Sequence, residues 1–227
     1  MAERKLGPPN CKSFQIRTEI SFAGGLELNR KKDPRRMQLQ HVNVKLLVQN
    51  AEEADLEPLI PVFHGWIENQ NGDELLIDVA DYTHVPAGPG IVLIGHEGNY
   101  SVDNTGNRLG VRYNRKAVQE GSNQDRLTQA TRAALTACQR LEAEPRLGKK
   151  FRFNGQDIEI FINDRLVAPN NAATREALDG DLHLFSRKLF RGKEYSISYG
   201  TDPRSLFTVF VKAARPFSVT ELLEALT

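Results

Sequence analysis

The chain has 227 residues, of which 26% are charged and 40% hydrophobic, and its net charge is +1. That composition suits a water-soluble globular protein, long enough to bury a full core without staples. With two cysteines and no run approaching 18 apolar residues, it argues against a disulfide framework and a membrane span, and a pI near 7.8 argues against a dedicated nucleic-acid domain.

Residues 1–13 read as a disordered tail. Phe14, Ile16, Thr18, Ile20 and Phe22 alternate with polar residues and predict a half-buried strand. Ala23-Gly24-Gly25 turns the chain, and residues 29–36 form a solvated basic loop. Val42, Val44, Leu46 and Val48 predict a second strand. Leu59, Ile60, Phe63 and Ile67 make a helical stripe that stops at Asn71-Gly72. Pro58 and Pro61 confine its start to 58–61, because proline fits only a helix's first turn.

Residues 74–81 and 90–95 are apolar on both faces, the pattern of central strands covered on two sides. Residues 108–114 alternate, with Leu109, Val111 and Tyr113 inward. A long helix starts at Ser122, with Asp125 placed for a capping box, and carries the stripe Leu127, Ala130, Ala134, Cys138, Leu141. Asn154-Gly155, between two apolar runs, predicts a type I′ hairpin. A helix over 172–190 buries Leu178, Leu182, Phe185 and Leu189. Strands near 194–199 and 205–212 flank a Thr201-Asp202-Pro203-Arg204 turn. The last helix opens at Ser218, with Glu221 completing a capping box, and buries Val219, Leu222, Leu223 and Leu226.

The expected fold is α+β, with a mixed, mostly antiparallel sheet or sheets covered by helices. The connections are too short for many parallel crossovers. Residues 14–145 and 146–227 read as two modules, free to pack as one domain, with a β-α-β-β order in each. Duplication would explain the likeness. So would the plain usefulness of β-α-β-β for covering a sheet.

Charge is unevenly placed. Residues 41–103 hold eleven acidic residues against one basic, Lys45, and four of the five histidines. Carboxylates and imidazoles gathered in one stretch can make a cation site or an acid–base site. The candidate catalytic residues are Asp78, Asp81, His84, His96 and Glu97. Asp78 shares a strand face with Leu76 and Ala80, where a carboxylate needs a partner. His64, with Glu68 one turn on, joins His84 and His96 as a candidate metal ligand. If strands 74–81 and 90–95 form a hairpin, Asp81–His84 and His96–Glu97 lie at opposite ends. If they are parallel or non-adjacent, the clusters converge. The plainer readings are histidines that cap strands and an Asp78 that holds backbone amides or an arginine.

Known motifs are absent. His96-Glu97-Gly98-Asn99-Tyr100 fails H-E-x-x-H at its last position and follows a strand, whereas the motif needs a helix. No phosphate loop, dinucleotide fingerprint or nucleophile elbow occurs, so no cofactor is named. Arg108, Arg112 and Arg115, with Lys149, Lys150 and Arg152 beside Phe151 and Phe153, are candidates for anion or nucleic-acid contact. Against that, Phe151 and Phe153 share one face as core residues do. Complementing the acidic stretch, within the fold or across a homo-oligomer, is the simpler use of these charges.

The stretch 41–116 resembles a family of conserved, uncharacterised bacterial proteins. The residues that carry the likeness are VFHGWI (62–67), DELLIDVADYTHVP (73–86), GPGIVLIGHEGNYSVD (88–103) and RLGVRYNRK (108–116). The resemblance covers about a third of the chain at good strength and implies a bacterial cytoplasmic protein, without an activity, cofactor or catalytic residue. The absence of a secretory h-region in residues 1–12 also points to the cytoplasm. Three functions follow in order. The first is a non-catalytic binding or accessory protein with acidic and basic poles, docking itself or another protein. The second is an enzyme using acid–base or metal-assisted chemistry within 64–103. The third is RNA or DNA binding through 108–116 and 146–152.

Overall fold

A computed structural model describes residues 37–70, 74–148 and 151–227. The expectations for the tail, the strand at 14–22, the basic loop, and Lys149 and Lys150 lie outside them. The strands are β1 (Val42–Val48), β2 (Leu76–Tyr82), β3 (Gly90–Gly95), β4 (Gly98–Asp103), β5 (Gly110–Arg115), β6 (Phe153–Ile162), β7 (Tyr195–Tyr199) and β8 (Phe207–Ala213). The helices are α1 (Leu59–Asn69), α2 (Asn123–Ala143), α3 (Ala172–Leu189) and α4 (Val219–Ala225). The fold is α+β. Among the described residues the strands form one open sheet in the order β2-β3-β4-β5-β1-β6-β8-β7, and every pairing is antiparallel. No helix among these residues is long and apolar enough to cross a membrane.

The period-two pattern of β1 decides which face is covered. Val42, Val44, Leu46 and Val48 are buried beside α2, as are Val111 and Tyr113 of β5. The α2 stripe from Leu127 to Leu141 is at most 1% exposed and packs on β1 and β5. The first helix covers β2 and β3, the last lies on β6, and α3 packs on α2 and α4. Capping boxes close the starts of α2 at Ser122–Asp125 and α4 at Ser218–Glu221, each satisfying amides the helix leaves free.

The two halves meet at the centre of the sheet, where β1 pairs with β6. Each central strand is followed by a helix and an edge strand, β2 or β7. From there a meander returns beside it and a second helix follows. The first meander has four strands and the second has two.

Two local expectations are corrected. Strand β2 is an edge strand: Leu75 is 58% and Ile77 53% exposed. Its outer margin is blunted by side chains, a usual protection for an edge. The Gln70 amide bonds both the Leu76 carbonyl (2.9 Å) and the Leu76 N–H (3.3 Å), and the Asp78 carboxylate accepts from the Val79 N–H (2.8 Å). Asn154-Gly155 is not a hairpin turn. It lies within β6, at a register shift where Leu46 pairs with Ile158 but Leu47 with Asn154. The Asn154 side chain folds the bulge, accepting from the Gln156 N–H (2.9 Å) and donating to Asp157 (2.9 Å). Glycine is required at 155 because the Phe217 carbonyl occupies the space of a Cβ.

Candidate functional site

Strands β2 and β3 form an antiparallel hairpin, with Tyr82 opposite Gly90 and Leu76 opposite Gly95. Asp81 and His84 therefore sit at one end and His96 and Glu97 at the other, separated by about 17 Å at ~3.4 Å per residue. The two clusters do not share a site. Asp78 is exposed, contrary to the expectation of an apolar setting. The register shift between Leu76 and Asp78 breaks the alternation, so Leu76 faces the helices while Asp78 pairs with Ile94 on the other face. Asp81 is exposed and accepts from the Thr83 N–H and hydroxyl, which hold its carboxyl below the usual range. His84 stacks on Tyr82 at 6.4 Å. His64 and Glu68 are exposed on α1, and His96 is exposed in the β3–β4 turn. Among the described residues no three His, Cys, Asp or Glu side chains are placed to hold a metal ion.

A groove of about 530 Å3 lies between α1 and α2, above β2, β4 and β5. Trp66 of α1 forms one wall. Gln129, Arg132, Ala133, Thr136, Ala137 and Arg140 form the other, at the three- and four-residue spacing that places them along one side of α2. Glu74, Tyr100 and Arg115 come from the sheet side. Two glycines make this arrangement possible. A Cβ at Gly95 would lie 2.8 Å from the Glu74 carboxylate, and one at Gly98 would lie 2.6 Å from the Tyr113 hydroxyl. The GHEG turn thus clears space for an acid and a phenol.

The Tyr100 hydroxyl donates to Glu74 (2.8 Å), the rings of Tyr100 and Tyr113 are 5.0 Å apart, and Gln129 donates to the Tyr113 hydroxyl (3.2 Å). Burial raises the Glu74 carboxyl above its ordinary pKa, against the opposing pull of the Tyr100 hydroxyl and the Gly98 amide. Burial also raises Tyr100, and the neighbouring Glu74 charge adds to it. Glu74 Oε1 and Gln129 Oε1 are buried without a well-directed hydrogen bond. Arg115 is committed to Glu97 (2.6 Å) and to the Ala117 carbonyl (3.0 Å). The other two arginines have no carboxylate partner among the described residues. Arg132 donates to the Leu226 carbonyl, and Arg140 stands over the Trp66 ring at 3.7 Å.

The opposite face of the sheet carries the second charged cluster. Ser101, Arg112, Lys45, Glu159 and Phe210 form one cross-strand row. Lys45, the lone cation of the acidic stretch, is 1% exposed and bonds Asp103 at 2.5 Å. Burial lowers its pKa, and Asp103 and then Glu159 oppose that shift. Asp103 also accepts from the Thr105 N–H (3.1 Å) and hydroxyl (2.9 Å), and Arg112 stands 3.8 Å away. Arg108 contacts Glu159 at 2.7 Å. Arg112 and Arg108 lie over the rings of Phe161 (4.5 Å) and Phe210 (5.7 Å). Gly110 is needed beside this row, since a Cβ there would overlap the Leu46 carbonyl oxygen and lie 3.1 Å from the Lys45 stem. Arg152 is half-buried, with its carbonyl accepting from the Gln49 N–H (2.8 Å).

Of the candidates named from the sequence, Glu97 and Arg115 line this groove; Trp66, Glu74, Tyr100, Arg132 and Arg140 were not among them. One signal was present: Arg132 and Arg140 are eight residues apart, about two turns, and border the α2 apolar stripe. In comparisons with known proteins, no family model, no curated protein and no solved structure matches this chain.

Proposed function

We propose that this is a non-catalytic binding protein whose groove between α1 and α2 takes a small organic anion. The observation that carries this is the pair Arg132 and Arg140, without acidic partners among the described residues and beside an aromatic and aliphatic floor. The groove volume falls in the range of small-molecule sites, roughly 300–1,000 Å3. Guanidinium groups match carboxylates and phosphates with paired hydrogen bonds. The unmade acceptors on Glu74 and Gln129 favour a ligand that also bears a donor, such as an amine or a hydroxyl. Pairing of Asp103 with Lys45 and Arg112, and of Glu97 with Arg115, spends part of the charge polarity inside the fold. The binding reading therefore rests on the groove more than on the poles.

Trp66 is the only tryptophan in the chain and lines the groove, so its fluorescence reports occupancy. Titration with aliphatic and aromatic carboxylates and with sugar and nucleoside phosphates should give a saturable change for one class. Calorimetry on the Arg132→Ala and Arg140→Ala variants should show binding weakened about 10- to 150-fold, the equivalent of ~1.5–3 kcal/mol for a hydrogen bond to a charged group. No binding at millimolar ligand would end the proposal. The raised Glu74 supports a second reading, an enzyme using Glu74 as a proton donor. Mass spectrometry of the ligand after prolonged incubation separates the two: recovery unchanged supports binding, and conversion supports catalysis.

A further inference from the structure

We infer that the face of the sheet that no described helix covers carries a second binding site, for an uncharged, hydroxyl-rich molecule of the saccharide class. This site is independent of the groove. It is a pocket of about 480 Å3 over β1, β5, β6 and β8, bounded by the 105–106 and 200–205 loops. Three observations select the ligand chemistry.

The first is charge. Lys45, Arg108 and Arg112 face Asp103 and Glu159 in the lining, and Asp202 is paired with Arg204. Those three cations and Asp103 and Glu159 belong to the ion pairs already described. An ionic ligand would compete with those pairs in a largely buried setting, which is costly. A neutral ligand leaves every pair intact.

The second is unmade hydrogen bonding. Arg112 Nε and Glu159 Oε1 are buried without a directed partner, and Arg108 reaches Glu159 Oε1 off the line of a hydrogen bond. Glu159 as a whole is 4% exposed. One atom is a donor and the other an acceptor, on residues whose Cα atoms lie two strand spacings apart, about 10 Å. A hydroxyl both donates and accepts, so a molecule with several hydroxyls can serve both atoms. Ser101 Oγ, in the same row, is also buried and unbonded.

The third is the wall. Phe161 and Phe210 give the pocket apolar surface, and Thr105, Thr201 and Ser205 give its rim hydroxyl groups. A pyranose presents C–H surface to a ring and hydroxyls at its edge, which fits this division. Water alone would leave wet the ring surface that Arg108 and Arg112 do not cover.

The test is saturation-transfer NMR followed by calorimetry on the whole chain. The probes are glucose, galactose, mannose, N-acetylglucosamine, maltose, cellobiose and lactose, with glucose 6-phosphate and glucuronate as charged counterparts. At least one neutral sugar should bind saturably, at least tenfold tighter than its charged counterpart. Its binding should leave Trp66 fluorescence unchanged. Glu159→Gln and Phe210→Ala should each weaken it at least tenfold, while Arg140→Ala leaves it intact. Circular dichroism melts of each variant verify the fold, and Arg108→Ala, at a half-exposed position, supplies a further variant if either fails to fold. Absence of binding by every neutral sugar, tighter binding of the charged counterparts, or unchanged affinity in the folded pocket variants would overturn the inference.

Discussion

Replacing Lys45 with methionine tests the structural core of the charged row. Methionine keeps most of the lysine stem, so the change is chiefly loss of the ammonium. Asp103, whose side chain is 3% exposed, would keep its Thr105 hydrogen bonds but lose the cation at 2.5 Å, with Arg112 only at 3.8 Å. Breaking a buried ion pair on one side costs about 3–5 kcal/mol, because the remaining charge stays buried. For a folded region of this size, each kcal/mol shifts the melting temperature by roughly 2–4 °C, so Lys45→Met should lower it by roughly 6–20 °C. Guanidinium and thermal denaturation measure the loss. The companion double variant, Lys45→Met with Asp103→Asn, should recover about half or more, since the stranded carboxylate is then gone and Arg112 keeps the Glu159 charge nearby. A single variant within 1 kcal/mol of the parent, or a double variant whose losses simply add, would refute the claim that this pair is coupled and buried.

Glu74→Gln should change stability in a pH-dependent way. The folded-state pKa of Glu74 is raised, so the native chain holds its proton more tightly than the unfolded chain, whose value is about 4.3. Stability from this group is fully present below that value and is lost as pH rises through the folded pKa. The variant should therefore match the parent near pH 4 and gain on it toward pH 7 in thermal melts; a constant or opposite difference would contradict the assignment. Gly98→Ala places a methyl against Tyr113 and should destabilise by about 1–3 kcal/mol, read from denaturant midpoints; a neutral result would mean that Tyr113 moves freely. In a Cys11→Ser background, Cys138 should resist a thiol reagent until the protein unfolds. Its side chain is fully buried and burial raises its pKa. Rapid stoichiometric labelling of native protein would argue against the α2 packing.

Most elements were legible because their signals are local. The α2 stripe and both capping boxes depend on residues three or four apart, and β1 and β5 on alternation. What was not legible depends on partners. An apolar run over 74–81 tells that its residues are apolar, not that no strand lies beyond β2. A register shift at Ile77 then reverses the expected company of Asp78. Asn154-Gly155 has the right residues for a hairpin, but β1 already pairs with both sides of it, so the same two residues make a bulge. The candidate site shows the same division. The histidine clusters were visible as composition, and their separation follows from which strands are neighbours. Lys45 was visible as a lone cation, while Asp103, 58 positions away, is its partner only through β4, β5 and β1. The groove brings together side chains of α1, α2 and β4, which no single stretch of sequence contains.

The pairing of β1 with β6 joins Val42 to Ile162, about 120 residues later. On the ribosome, at ~5–20 residues per second, β1 waits on the order of 5–20 s for that neighbour. During that interval the meander can close one margin of β1, but the other offers free amides and carbonyls to any strand nearby. Loops this long make such pairing slow to form even after synthesis. The mature molecule guards its outer margin with Gln70 and Asp78, yet its most exposed moment falls earlier, at the strand that ends up deepest in the sheet. Any chain cut before residue 153 would keep that vulnerability permanently, which makes the second half a protector of the first as much as a partner in the fold.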